Sequence, residues 1–296
     1  MLRDWTVGSV LLGVRLSVLV ALSLSALLSL LLHGLLTGQV DAASEPPQKL
    51  QAAQCNHAAF RIVVDVGHTA EAPGALSARG VPEYDFNLRL AKQIEEKLIE
   101  RGFAKAILLI TEGPARRGLT ERVARANALK ADLLVSIHHD SVPQVFKEEW
   151  EHEGQKNSYC DKFKGHSIFV SHANHKRAAS YAFGSLLGRA LKANGLQYTP
   201  HYSQSFMGKW RRDLVDAEAG VYRYDALIVL RTTRMPAVLL EAGSIVNRDE
   251  ELLLASADHR RLIAASVANA VDKFCASRSH RRSTARITPV KSPSES

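Results

Sequence analysis

Two histidines in this chain of 296 residues each follow an apolar run of strand-forming residues. His68 ends the segment Arg61-Ile-Val-Val-Asp-Val-Gly-His68, and His138 ends the segment Asp132-Leu-Leu-Val-Ser-Ile-His138. Between them, Glu83 precedes apolar residues that recur every four positions, which indicates an amphipathic helix. The carboxyl ends of strands in an open α/β sheet are where ligands bind. The three side chains could therefore hold a zinc ion and leave one coordination position open for water.

The spacing of His68, Glu83 and His138 along the sequence does not by itself identify a metal site. Either histidine taken singly is better explained as a hydrogen-bonded turn residue. Two strands that each end in a histidine, with a carboxylate between them in the sequence, favour a metal site. His139 competes with His138 for the third position, but side chains alternate across a strand, so only one of the two can point into the site. His139 and Asp140 could flank a substrate or simply be solvated.

Five segments of the chain match one known family in the family's own order, and together they cover most of residues 60 to 275. They are Asp65-Val-Gly-His68, Glu83-Tyr-Asp-Phe-Asn-Leu, Leu119-Thr-Glu-Arg-Val-Ala-Arg-Ala-Asn127, Ala131-Asp-Leu-Leu-Val-Ser-Ile-His138, and Val229-Leu-Arg-Thr-Thr-Arg-Met-Pro-Ala-Val-Leu-Leu-Glu-Ala-Gly243. On these segments the chain resembles the zinc-dependent N-acetylmuramoyl-L-alanine amidases. Enzymes of that family cut the amide between the lactyl group of the glycan and the stem peptide of bacterial cell walls.

The resemblance implies that His68, Glu83 and His138 are the zinc ligands and that Glu241 is the catalytic carboxylate. It also favours His138 over His139 as the third ligand. The chain departs from the family after the first histidine, where Thr69 and Ala70 replace the usual two glycines. This departure concerns the shape of the rim of the site and not the ligands.

Three other side chains are candidates for supporting roles. Asp65 could orient a zinc ligand, as metal-bound imidazoles usually require, although a backbone carbonyl would serve as well. Glu241 ends an apolar segment, where burial of an unpaired carboxylate is costly, and this indicates function. The alternative is that Glu241 has only a structural role and forms a salt bridge to Arg231 or Arg234. Arg231 could instead line a pocket for a free C-terminal carboxylate.

The expected reaction is zinc-dependent hydrolysis of the amide between N-acetylmuramic acid and L-alanine in peptidoglycan, with Zn2+ as cofactor and Glu241 moving the proton. The alternatives are a zinc carboxypeptidase-like exopeptidase and a catalytically inactive module that binds the cell wall. The sequence contains no G-x-S-x-G elbow, no phosphate-binding glycine loop and no His-Glu-x-x-His motif, so other hydrolase and nucleotide-binding classes are disfavoured.

The predicted fold is α/β: a single three-layer domain with a twisted, mostly parallel or mixed sheet and helices on both faces, similar to the phosphorylase/hydrolase-like folds. The predicted strands are the two that end at the histidines and residues 104–111, 167–171, 226–230 and 237–240. The predicted helices are one that follows Glu83 and ends at Gly102, and residues 119–130, 178–194, 248–254 and 260–274.

The predicted domain order has four parts. Residues 1–42 are an export segment, since Leu16 to Leu32 carries no charge; cleavage near Ala42 is favoured over an uncleaved membrane anchor. Residues 43–58 form a linker, residues 59–276 the catalytic domain, and residues 277–296 a disordered basic tail. The protein is therefore expected outside the cytoplasm, in the periplasm or cell envelope.

An insertion at about residues 141–165 contains four glutamates, Glu148, Glu149, Glu151 and Glu153, without a clean period. It is interpreted first as a solvated loop or a short surface helix near the mouth of the site. The sharper hypothesis is that one of these carboxylates covers the zinc as a gate.

The three cysteines, Cys55, Cys160 and Cys275, form no CxxC pair, which excludes a thiolate zinc cage and a thioredoxin-type site. In an oxidising compartment Cys55 and Cys275 could pair, or all three could be free thiols. The net charge of +8 indicates affinity for polyanions. Given export, these are the cell wall or anionic lipids and not nucleic acid. Peptidoglycan is the expected partner, with an activator protein and a membrane tether as further possibilities, and the expected state is a monomer.

Overall fold

Residues 55–287 are described by the computed structural model, with side chains described through Arg278. The strands are β1 (Arg61–Val66), β2 (Lys105–Leu109), β3 (Leu133–Asp140), β4 (Glu148–His152), β5 (Gln155–Tyr159), β6 (Ser167–Val170), β7 (Asp213–Asp216), β8 (Val221–Arg223) and β9 (Ala237–Ser244). The α-helices are α1 (Glu83–Glu100), α2 (Ala115–Ala128), α3 (Arg177–Ala193), α4 (Ile228–Thr232), α5 (Arg248–Ala255) and α6 (Ala257–Ile287). Short 3-10 turns lie at residues 144–146, 201–203 and 205–210.

Seven strands form one mixed sheet in the order β2-β1-β3-β9-β6-β8-β7. The pairs β1–β2, β1–β3, β3–β9 and β6–β8 are parallel, whereas β6–β9 and β7–β8 are antiparallel. The central parallel strands are apolar on both faces because helices cover both sides. The predicted α/β class with a mostly parallel or mixed sheet is confirmed.

Two apolar clusters fill the space on either side of the sheet. The larger one packs α1, α3 and α6 against the sheet through residues such as Leu90, Phe183 and Val271. The smaller one packs α2 and α4 against the opposite face, through residues such as Ala126 and Leu230. These two layers of helix and the sheet between them make the predicted three-layer domain.

Two predicted elements differ in the structure. Residues 226–230, predicted as a strand, contain the start of the short helix α4, because a brief apolar run has no periodicity that separates strand from helix. The inserted segment, interpreted as a loop or surface helix, instead forms the two-stranded antiparallel hairpin β4–β5. Glu153 and Gly154 occupy the turn with positive φ, the conformation that tight hairpin turns require.

The ends of the domain are joined by a disulfide between Cys55 and Cys275, which confirms that predicted pairing; Cys160 is a buried free thiol. Helix α6 runs on to Ile287, so the predicted disordered tail is helical over the part that the structure describes. Arg278 donates a hydrogen bond to the carbonyl of Asp132 and helps to hold this extension. The predicted export segment and the rest of the tail lie outside residues 55–287. Within those residues no helix combines the length and apolarity needed to cross a bilayer.

Candidate metal centre and active site

The first histidine of the site lies in a bend that ends β1. His68 has φ of 67°, in the left-handed region that residues with a side chain seldom adopt. The guanidinium of Arg122 donates hydrogen bonds to the carbonyls of Val66, at 2.7 Å, and His68, at 2.8 Å. These two bonds hold the bend, and the imidazole is thereby held at the carboxyl edge of the sheet.

Glu83 is the first residue of α1, and its carboxylate lies between the two imidazoles. His68 Nε2 is 3.0 Å from Oε2, and His138 Nδ1 is 3.0 Å from Oε1. Although it stands at the entrance of the helix, Glu83 is only 5% exposed. The loop that precedes α1 covers it, and Glu83 N donates to the carbonyl of Ala75 at 2.8 Å.

Several donors surround the Glu83 carboxylate. Backbone amides of Ala75 and His139 and the side-chain amide of Asn87 donate to its oxygens at 3.2 to 3.3 Å. Burial alone would raise the pKa of Glu83, but hydrogen bonds with His138 and His68 outweigh it and hold the pKa far below its ordinary value. The carboxylate is therefore charged at neutral pH and suited to bind a cation.

The three side chains fit a divalent metal. One ligand atom from each of His68, Glu83 and His138 lies within 4.8 Å of the others. Ligand atoms bound to one tetrahedral zinc ion at about 2.1 Å lie roughly 3.4 Å apart, close to the 3.0 Å separations observed here. Two glycines leave room: a Cβ at Gly67 would come within 2.4 Å of His138 Nε2, and one at Gly74 within 2.5 Å of Glu83 Oε2. The backbone thus forms a cradle around the predicted ligand set.

His139 alternates with His138 along β3 and points away from the metal cluster, whereas Asp140 lies two residues beyond His138, after an irregularity in the strand. His139 is buried on the opposite face, where Nδ1 is 2.7 Å from Asn87 Oδ1 and burial lowers its pKa to about 3. Asp140 is buried too, and it accepts a hydrogen bond from the phenol of Tyr202 at 2.7 Å. Burial raises the pKa of Asp140 to about 7. Neither side chain is solvated, and neither belongs to the cluster of three.

Glu241 lies beside the cluster. It occupies the register position opposite His138 on the neighbouring parallel strand β9. Its Oε2 is shielded from solvent and has no hydrogen-bond partner among residues 55–278. Burial, and then repulsion by the carboxylates of Asp140 and Glu83, raises the pKa of Glu241 well above its ordinary value. A carboxylate with a shielded oxygen that lacks a hydrogen-bond partner, beside a ligand set, is suited to proton transfer in a hydrolytic site.

The remaining candidates lie further from the cluster. Asp65 is fully buried and forms a 2.6 Å ion pair with Arg122, in a geometry that is not an aligned hydrogen bond; it also accepts from Ser136 Oγ at 2.6 Å. It reaches His68 only through Arg122. Arg231 is exposed on α4, and none of the ion pairs in the described chain joins it to Glu241. The structure thus gives Glu241 no arginine partner.

The inserted hairpin packs beside the metal cluster without contributing a ligand. Trp150 Nε1 donates to the carbonyl of Ala78 at 2.8 Å, and the guanidinium groups of Arg79 and Arg248 lie over its ring. Glu148 accepts a hydrogen bond from Tyr159 within the hairpin. None of the four glutamates belongs to the cluster of possible metal ligands found in residues 55–278. The hairpin therefore supports the loop over the site, and the gate hypothesis gains no support.

Two polar side chains at the site were not found from the sequence. Asn87 bridges Glu83 and the carbonyl of Gly67. It lies four residues after Glu83 on the otherwise apolar face of α1, and this polar interruption at i+4 was a usable signal. Tyr202 comes from a segment without periodicity, so no pattern in the sequence places its hydroxyl next to Asp140.

Comparison with known proteins identifies the family of this chain. A family model described as N-acetylmuramoyl-L-alanine amidase matches residues 62–273. The chain is 27% identical to Bacillus subtilis YqiI over 72% of this chain and 84% of that protein. It is 25% identical to the probable N-acetylmuramoyl-L-alanine amidase AmiB of Haemophilus influenzae over 70% of this chain, and the match spans 50% of that protein.

Solved structures show the same fold. The N-acetylmuramyl-L-alanine amidase Ami1 from Mycobacterium smegmatis superimposes with a TM-score of 0.58 at 20% identity, over 75% of this chain and 99% of that chain. The fold and the family match define an α/β hydrolase, and His68, Glu83 and His138 are its candidate metal ligands. The chain belongs to the N-acetylmuramoyl-L-alanine amidase family, as its match across residues 62–273 shows.

Proposed function

We propose that this protein is a zinc-dependent hydrolase that cleaves the amide between N-acetylmuramic acid and L-alanine in peptidoglycan. The observation that carries the proposal is the convergence of His68, Glu83 and His138 within 4.8 Å, with Glu241 opposite His138 in the next strand. Family membership supports the substrate class, and the donor set of two imidazoles and one carboxylate supports zinc.

His68, Glu83 and His138 would hold the ion. When bound, zinc acidifies water and polarises a carbonyl oxygen, which compensates for the poor reactivity of both partners in amide hydrolysis. Glu241 takes a proton at Oε2 and returns it to the departing amine. Asn87 and the amides of Ala75 and His139 orient the Glu83 carboxylate, and Arg122 holds the bend that carries His68.

Action on peptidoglycan places the protein outside the cytoplasm, in the periplasm or cell envelope. The uncharged segment from Leu16 to Leu32 supports export, and cleavage near Ala42 or retention as a membrane tether are both part of this proposal. An activator protein and a monomeric state remain predictions.

Digestion of purified peptidoglycan tests the proposal. The wild-type domain should release stem peptides that begin with free L-alanine, and both Glu241→Gln and the metal-free protein should lose this activity by at least about 100-fold. Glu218→Gln, at an exposed carboxylate remote from the site, is the matched control and should remain active.

The alternatives give different products. An exopeptidase would release single amino acids from the carboxyl end of the stem and leave the muramyl amide intact. An inactive wall-binding module would retain the wall in a pull-down without releasing any stem, and Glu241→Gln would change nothing measurable. Either result would overturn the assignment.

A further inference from the structure

A cavity of about 360 Å³ is lined by Glu241, whose neighbour on the adjacent strand is the predicted metal ligand His138. Its volume is in the range of pockets that bind small molecules, about 300 to 1,000 Å³. None of the three predicted metal ligands lines it. The side chains that matter for its chemistry are one carboxylate, one guanidinium and four aromatic rings: Glu241, Arg212, Phe169, Tyr202, Trp210 and Tyr224. A cavity that begins at the proton-transferring carboxylate is positioned to hold the part of the substrate next to the reacting amide.

Arg212 is fixed in the wall of this cavity. Its guanidinium carbon lies 3.9 Å from the centre of the Tyr224 ring, and its backbone amide donates to the carbonyl of Tyr202 at 2.7 Å. Nη1 donates to the carbonyls of Arg211, at 2.8 Å, and Lys209, at 3.3 Å. A guanidinium restrained by stacking and by two carbonyls loses little further freedom when it binds a ligand.

The same guanidinium has no counterion in the part of the chain that the structure describes. Arg212 takes part in none of the ion pairs there, although Glu241 lines the same cavity. Its Nε is shielded from solvent and makes no hydrogen bond within residues 55–278. A guanidinium without a counterion, set among aromatic rings in a cavity wall, is a site for an anionic group with planar acceptor geometry. A carboxylate fits this requirement.

We infer that Arg212 binds the free α-carboxylate of the second residue of the stem peptide, and that it makes the enzyme selective for stems in which this group is not amidated. The inference rests on the proposed function. In peptidoglycan the residue after L-alanine is D-glutamate linked through its γ-carboxyl group, which leaves the α-carboxylate free. Two extended residues span at most about 7 Å, so a carboxylate bound in this cavity stays within reach of an amide held at the neighbouring metal cluster beside Glu241.

Soluble muramyl-peptide fragments test the inference. Three fragments are needed: one with all carboxylates free, one with the α-carboxylate of the second residue converted to carboxamide, and one with only the C-terminal carboxylate converted. For the wild type, kcat/KM should fall roughly 10- to 100-fold for the second fragment, as expected when a charged hydrogen-bonding partner is lost. It should not change for the third.

Substitutions assign this selectivity to Arg212. Arg212→Gln should lower kcat/KM for the free acid much more than for the carboxamide, so that the ratio between them approaches one. Arg212→Lys should restore part of the preference, because it keeps the charge but not the bidentate geometry. Arg211→Gln, at the exposed neighbouring arginine, is the matched control and should keep the wild-type ratio.

Equal cleavage of the first two fragments by the wild type, or an unchanged ratio in Arg212→Gln, would overturn the inference. Loss of activity on the third fragment alone would show that the cavity takes a chain terminus, which also overturns it and favours an exopeptidase. Calorimetric binding of the fragments to Glu241→Gln makes the same comparison without turnover. Failure of the proposed function would instead appear as no cleavage of any fragment by the wild type.

Discussion

His138 and Glu241 lie opposite each other on two hydrogen-bonded parallel strands, β3 and β9. Neighbouring strands are about 4.8 Å apart, so the register of the sheet, and not a loop, sets the spacing between a predicted metal ligand and the carboxylate proposed to transfer the proton. A shift of one residue in this register would turn Glu241 to the other face of the sheet. The catalytic geometry is therefore fixed by the most buried part of the fold.

Removal of either imidazole should abolish metal retention. His68→Ala or His138→Ala leaves Glu83 with one histidine partner and the ion with two protein ligands, too few for a stable zinc site. We expect bound zinc, measured by elemental analysis after dialysis, to fall from about one equivalent per chain to near zero. His175→Ala, at an exposed histidine, is the control. Full zinc content in both site variants would contradict the ligand assignment.

Truncation of Trp150 should loosen the loop over the metal cluster. Trp150→Ala removes the hydrogen bond to the Ala78 carbonyl and the stacking of two arginines, with an expected local loss of about 1–2 kcal/mol. Hydrogen exchange of the amides in residues 75–81 should accelerate, and a competing chelator should remove zinc more easily. The neighbouring exposed Glu149, changed to alanine, serves as the comparison. Unaltered exchange would rule out a supporting role for the hairpin.

Loss of Arg122 should destabilise the fold and disturb the bend at His68. Arg122→Met leaves Asp65 buried without its cation and two carbonyls without donors, and breaking such a pair costs about 3–5 kcal/mol. The double variant Asp65→Asn with Arg122→Met should lose less than the sum of the single changes, because the isolated charge is gone. Urea unfolding of the four proteins measures this coupling, and strict additivity would contradict it.

The disulfide should contribute strongly to stability because it closes a loop with a sequence separation of 220 residues. Loops of this size are expected to contribute about 4–5 kcal/mol, chiefly by restricting the unfolded chain. Cys55→Ser should therefore lower the midpoint of chemical unfolding markedly, and a reducing agent should do the same to the wild type. Cys160→Ser removes a cysteine that forms no disulfide and should leave the response to reduction intact.

Stability should fall in mild acid because of His166. Burial lowers its pKa to about 4, and its ring nitrogens have no hydrogen-bond partner in the described structure. In the unfolded chain the imidazole titrates near about 6.5, so between these values the unfolded state binds more protons and stability decreases as the pH falls. The penalty approaches roughly 3 kcal/mol by pH 4 and is absent above pH 7.

The variant His166→Phe keeps a ring of similar shape but cannot be protonated. Its free energy of unfolding, measured by urea titration from pH 7 to pH 4, should decline less steeply than that of the wild type. His175→Gln should leave the slope unchanged, because this side chain is exposed. An equal slope in wild type and His166→Phe would exclude His166 as a source of the acid sensitivity.

The sequence predicted the elements that carry a strong period or a motif. The strands ending at His68 and His138, the helix after Glu83 and the segment ending at Glu241 are all present, because apolar periodicity determines such elements locally. Residues 226–230 were wrongly predicted as a strand, because this apolar run is too short to show the periodicity that separates a strand from a helix. The hairpin of residues 148–159 was missed because its strands are polar and lie at the surface, where alternation is weak.

The composition of the site was less predictable than its ligand set. Long-range contacts place Tyr202 beside Asp140 and Arg212 beside Tyr224, and no spacing along the chain encodes them. Arg231, which the sequence singled out, is exposed on α4, whereas Arg212 lines the cavity. The conformation of an irregular segment depends on what it packs against, so the positions of side chains such as Tyr202 and Arg212 cannot be predicted from the sequence pattern.

The position of the disulfide decides how the domain can be held. Cys55 precedes β1, whose opposite end leads to His68, and Cys275 lies in α6 three residues before Arg278, which meets Asp132 just before the start of β3. The chain therefore enters and leaves the domain at the back of the sheet. A tether attached to the domain at Cys55 or Cys275 would therefore leave the opposite edge of the sheet, which carries His68, accessible.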